Sequence, residues 1–97
     1  MTNYIPIRER LKVDREPRKL RIESEPYIVY IGNTFVPVIN VFDIKRKREF
    51  YIPINPTSLS KIFYTWASEN DGRITNLEFW INKESEDKFA KYEVEIT

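Results

Sequence analysis

At 97 residues, with 16 basic and 15 acidic side chains, the chain has the length of one domain, and such a domain buries only about 60–65% of the surface its unfolded form exposes. It contains neither Cys nor His, which excludes disulfides, thiolate and Cys/His zinc sites, and the side chain that titrates near neutrality unperturbed. Acid–base chemistry is thereby left to carboxylates, Lys and Tyr.

Apolar residues make up 41% and aromatics 14% of the chain, enough for one packed core, while 32% charge keeps the remainder in water. The start Met-Thr-Asn-Tyr-Ile-Pro-Ile has no basic region followed by an apolar run, and no stretch approaches the roughly 20 apolar residues of a membrane span. A cytoplasmic protein without membrane contact is expected. The absence of Gln and the abundance of Lys, Arg, Glu and Ile lean toward a thermophile, against which stand seven Asn residues. Residues 1–54 hold 11 basic and 7 acidic side chains, whereas residues 55–97 hold 5 and 8. That split can create a positive face on a nearly neutral molecule, or simply let the two halves complement each other.

Residues 1–19 are polar, contain Pro6 and Pro17, and read as an arm with at most a short helix over residues 8–13. The domain proper spans residues 20–97. From Leu20 the pattern turns to alternation: Leu20 and Ile22, then the strand Tyr27-Ile28-Val29-Tyr30-Ile31. Gly32-Asn33 follows and precedes an apolar run over residues 34–44, the arrangement of a hairpin with a type I′ or II′ turn. Pro37 lacks an N–H and points to an edge or a bulge in that second strand. Lys45, Arg46, Lys47 and Arg48 form the tip of a second hairpin, because four like charges between apolar runs cannot be buried, and residues 49–54 return as a third strand.

Asn55-Pro56 offers an N-cap and a first helical residue. Leu59, Ile62, Phe63 and Trp66 then fall on one face of a helix over residues 57–69, stopped by Asn70-Asp71-Gly72. Leu77, Phe79 and Ile81 alternate with Glu78, Trp80 and Asn82 in a fourth strand. After a polar turn at residues 83–88, Ala90, Tyr92, Val94 and Ile96 alternate with Lys91, Glu93 and Glu95 in a fifth.

The predicted fold is mostly β within the α+β class: a small antiparallel five-stranded sheet or an OB-like barrel, in the order β-β-β-α-β-β with one helix. An OB-fold shares that chain order and binds oligonucleotides and oligosaccharides, but fold does not determine function.

Three aromatics alternate with core positions and should face outward: Tyr51, Trp80 and Phe89. Beside the basic loop Lys45, Arg46, Lys47 and Arg48 they are the parts of a single-strand surface, in which bases stack on rings and cations follow the phosphates. The competing reading makes Tyr51 and Trp80 packing residues. The expected function is non-catalytic binding of single-stranded DNA or RNA. The alternative is a protein-interaction or homodimerisation module, of the kind carried by a virus or mobile element, whose edge strand near Pro37 pairs between chains. No glycine-rich phosphate loop is present, since Gly32 and Gly72 are the only glycines. Asp43, Lys45, Glu49 and Glu78 are the sole β-located set for a metal nuclease, and they read better as charges at hairpin ends. Neither cofactor nor metal is expected.

Overall fold

The computed structural model describes residues 8–85 and 91–96. Among these residues seven strands and one helix follow in the order β1 (Glu9–Arg10), β2 (Arg18–Ile22), β3 (Tyr27–Ile31), β4 (Thr34–Asp43), β5 (Arg48–Pro53), α1 (Thr57–Glu69), β6 (Glu78–Lys83) and β7 (Tyr92–Ile96). One open sheet runs β1-β5-β4-β2-β6-β7, with β3 beside the first half of β4. All pairs are antiparallel except β1 with β5. The α+β class, the single helix and the order of the long elements are as expected. Among the described residues β7 pairs only with β6, and no barrel closes.

β2 and β3 behave as one interrupted strand. Ile22 stands opposite Val41 and Tyr27 opposite Val38, so residues 23–26 bulge out against Ile39 and Asn40. Asn40 satisfies the bulge: its carbonyl accepts from the Glu23 N–H at 2.8 Å, and its N–H donates to Ser24 Oγ at 3.0 Å. Beyond the bulge the two halves have different neighbours. β2 is covered on its far edge by β6, whereas among the described residues β3 pairs with β4 alone.

Gly32 (φ 55°) and Asn33 (φ 66°) both take the left-handed conformation that a type I′ turn demands. Pro37, expected at an edge or a bulge of the second strand, lies in the long central strand β4. Its missing N–H falls on the β5 side, one residue beyond the last registered pair, Val38 opposite Pro53. The segment read as a polar arm is extended, not helical, over residues 8–13. Glu9 and Arg10 pair with β5, the Leu11 N–H donates to the Tyr51 carbonyl at 2.9 Å, and Leu11 is buried.

One sheet face carries the larger of two core clusters, and Val29, Val36, Val38 and Tyr51 form the smaller on the other. Leu20, Ile22, Ile39, Val41, Phe50, Ile52, Phe79 and Ile81 pack under the helix, which inserts Leu59, Phe63 and Trp66. Phe63, Trp66 and Phe79 form a mutual aromatic cluster with centroids 5.2–5.7 Å apart. Each such ring contributes about 1.5–3 kcal/mol on burial. The N-cap is Pro56 rather than Asn55, with no side-chain cap, and the Pro56 carbonyl takes the N–H groups of Leu59 and Ser60. Gly72 (φ 80°) closes the C-terminus by donating to the Ala67 carbonyl at 2.7 Å. β7 is less buried than its alternation implies: Tyr92 and Val94 are half-buried and Ile96 is exposed, while Ala90 lies outside the described residues.

Candidate functional site

The structure divides the basic and aromatic set predicted as one surface. Lys45, Arg46 and Lys47 occupy the turn after β4, and Arg48 opens β5. Arg46 lies 3.3 Å from Glu16 and 3.7 Å from Asp43. Arg48 is 2.9 Å from Glu9 and also caps the Phe50 ring at 5.4 Å. Among the described residues only Lys45 and Lys47 of the four make no ion pair. Tyr51 does face away from Phe50 and Ile52, as alternation requires, but it is 9% exposed and packs with Val29, Val36 and Val38. It is therefore no outward stacking platform, because the β3–β4 hairpin supplies apolar side chains to both sheet faces. Phe89 lies outside the described residues.

Trp80 is 40% exposed. Lys19 and Glu95 flank it on the neighbouring strands, and it forms the wall between two hollows. The smaller, about 80 Å³, adds Lys19, Lys45 and Arg46, while the larger, about 520 Å³, carries Glu93 and Glu95. The smaller hollow also holds Glu16 and Asp43 against Arg18, Lys19, Lys45 and Arg46, so the ring separates a mixed, net basic side from an acidic one.

The carboxylates considered for metal chemistry are scattered. Asp43 and Glu49 leave opposite faces of the sheet, since Glu49 is in register with Phe42 and Asp43 with Arg48. Asp43 is buried between Arg18 (3.5 Å) and Arg46 (3.7 Å), Glu49 is held by Arg8 at 2.9 Å, and Glu78 is 3.7 Å from Lys19. No cluster of three metal-ligating side chains occurs among the described residues.

The most distinctive surface lies around β3. Its five residues, Tyr-Ile-Val-Tyr-Ile, carry no charge and no proline, so the edge lacks the devices that usually keep sheet edges from pairing. Which backbone groups point outward follows from β4. The Pro37 carbonyl accepts from the Ile54 N–H at 2.9 Å, on the β5 side, so Pro37 and its partner Ile28 form a non-hydrogen-bonded pair in the β3–β4 ladder. Tyr27, Val29 and Ile31 therefore turn their amides toward β4, and Ile28 and Tyr30 present theirs to the edge that is unpaired among the described residues.

The side chains of those two residues extend the apolar surface. Ile28 is 49% exposed, Tyr30 45% and Phe35 61%, and the Tyr30 and Phe35 rings meet at 5.1 Å. Pro37, opposite Ile28, continues this patch into a groove of about 510 Å³ between the hairpin and α1, lined by Pro26, Ile54, Phe63, Tyr64 and Ile74. Tyr64 stands 76% exposed on its wall.

Glu25 closes one end of the groove. Its carboxylate accepts the N–H groups of Ile74 and Thr75 at 2.9 and 2.8 Å and the Thr75 hydroxyl. Burial raises its pKa, but the Thr75 hydroxyl, the two amides and the Arg73 charge together outweigh that, and the carboxyl is held below its ordinary 4.5.

The groove escapes sequence reasoning because Tyr64 falls outside the Leu59-Ile62-Phe63-Trp66 stripe and counts there as an isolated surface ring. The edge had a readable signal in an apolar run without alternation or charge, but such a run equally describes a strand buried on both sides. No helix among the described residues is long and apolar enough to cross a membrane. No family model matches the chain, and no curated protein or solved structure matches it either.

Proposed function

We propose that the protein is a non-catalytic interaction module that takes up an extended segment of a protein partner along the open edge of β3. The observation that carries this reading is the outward N–H and C=O groups of Ile28 and Tyr30 on an uncharged strand, set beside a contiguous apolar patch and groove. In strand addition main-chain hydrogen bonds supply affinity, and pockets for alternate side chains supply specificity. Ile28 and Tyr30 add half-exposed apolar side chains beside those main-chain groups, and Tyr64 stands exposed on the groove wall. A labelled peptide with the sequence of residues 26–32, flanked by lysines for solubility, tests it. Saturable binding that Ile28→Pro abolishes is expected, since that change deletes an outward N–H and leaves the β4 ladder intact. Absence of binding, or equal binding to the variant, rejects strand addition.

A second reading rests on the basic hollow beside Trp80. A half-exposed indole with Lys19 and Lys45 next to it can stack one base and contact a phosphate. Glu93 and Glu95 on its other side restrict a polyanion to a single approach, and this reading ranks below the first. Single-stranded oligonucleotide titrated at several salt concentrations decides it: a steep salt slope supports the reading and no binding removes it.

A further inference from the structure

We infer that the segment received at β3 is β3 of a second copy of this chain, paired antiparallel about a two-fold axis at Val29. The inference rests on strand addition at this edge and adds the identity of the partner. An axis through Val29 sets Ile28 opposite Tyr30 of the second copy and Tyr30 opposite its Ile28. These are the two residues whose amides face outward, so each pair exchanges two hydrogen bonds and every open group of the strand is satisfied by an identical strand.

Neighbouring registers fail. An axis at Ile28 would set Tyr30 against Pro26, which has no N–H. An axis at Tyr30 would set Ile28 against Gly32, whose φ of 55° belongs to the turn and not to a strand. Charge agrees with the Val29 axis, which puts Glu25 opposite Asn33 and Pro26 opposite Gly32, so no like charges meet.

The side chains also fit a second copy. Tyr30 of each chain comes over Ile28 of the other, next to Pro26 and Pro37, and so arrives at the mouth of the other chain's groove. Ile28 and Tyr30, each close to half exposed, are thereby covered on both copies.

The test is sedimentation of the full chain from micromolar to millimolar concentration, with residue-resolved amide exchange on the same samples. The expected result is a mass that doubles, with the Ile28 and Tyr30 amides slowing in step with the dimer fraction while Tyr27, Val29 and Ile31 are slow throughout. Tyr30→Lys halves the mass again at the highest concentration. The exchange pattern is read on the wild type and holds even if that variant folds poorly. A chain monomeric throughout that still binds the β3 peptide overturns the second copy and leaves strand addition standing. A dimer whose Ile28 and Tyr30 amides stay fast overturns it in favour of another surface. A monomer that also ignores the peptide removes both.

Discussion

Pro37 stands opposite Ile28 in the β3–β4 ladder, and its carbonyl turns to Ile54 on the other side of β4. That contact reveals the phase of the hairpin, which the two-residue Gly32-Asn33 turn closes at Ile31 opposite Thr34, and with it which amides β3 offers to a partner. Replacing Pro37 with Val should leave this phase unchanged, because the N–H it restores points toward β5 and not toward β3. Peptide binding at β3 is expected to persist in Pro37→Val, checked by the same labelled-peptide titration.

Trp66 belongs to the core cluster with Phe63 and Phe79. Trp66→Ala should destabilise the fold by about 3–5 kcal/mol, the usual range for removing a buried indole. Denaturant unfolding measures this directly, and a loss below about 1 kcal/mol would mean that the helix docks through other residues.

Asp43 is a buried carboxylate between two guanidinium groups, with its Oδ2 and the Arg18 Nε lacking hydrogen bonds. Asp43→Ala leaves the mostly buried Arg18 only the half-exposed carboxylate of Asp14, at 3.8 Å, and should cost about 3 kcal/mol, whereas Arg46→Ala, at the wetter end of the group, should cost about 1 kcal/mol or less. Urea midpoints of the two variants check the ordering.

Glu25 has a folded pKa below its ordinary 4.5, so its carboxylate form is favoured by folding. The stability it contributes is present in full above the unfolded value and is lost as pH falls through the lowered folded value. Melting temperatures from about pH 6 down to about pH 3 should therefore fall more steeply for the wild type than for Glu25→Gln, which has no charge to lose there. Parallel curves would show that the hydrogen bonds to Ile74 and Thr75 do not discriminate between the two protonation states.

Trp80 separates packing from binding. Its exposure predicts that Trp80→Ala lowers stability by no more than about 1 kcal/mol. If the basic hollow takes single-stranded nucleic acid, the same change weakens binding by about 1–3 kcal/mol. A melting-temperature scan and an oligonucleotide titration on one preparation measure the two effects.

Local chemistry made much of the fold legible in the sequence. Gly32-Asn33 marked the hairpin, the Leu59-Ile62-Phe63-Trp66 spacing marked the helix to its ends, and alternation marked β6. What sequence alone could not show was the partnering of elements distant in the chain. Leu11 and Val13 read as too few apolar residues to give the polar arm a stripe, until β5 stands beside Leu11. Tyr51 reads as outward because alternation reports which face a side chain takes, not what covers that face. The carboxylates that hold Arg46 and Arg48 come from Glu16 and Glu9, 30 and 39 residues away, so a loop that looks free in sequence is half neutralised in the fold. The β3 edge was missed for the related reason that an apolar strand looks the same whether one or two neighbours flank it.

The central claim, that β3 receives another strand, is tested most directly by amide exchange at three adjacent residues with and without the β3 peptide. Without peptide, the Val29 amide should exchange slowly and those of Ile28 and Tyr30 fast, because only the first is bonded to β4. Saturating peptide should slow Ile28 and Tyr30 by at least about tenfold and leave Val29 nearly unchanged. Ile28 and Tyr30 amides that remain fast under saturating peptide, or that are already slow in a dilute monomer, would contradict the account.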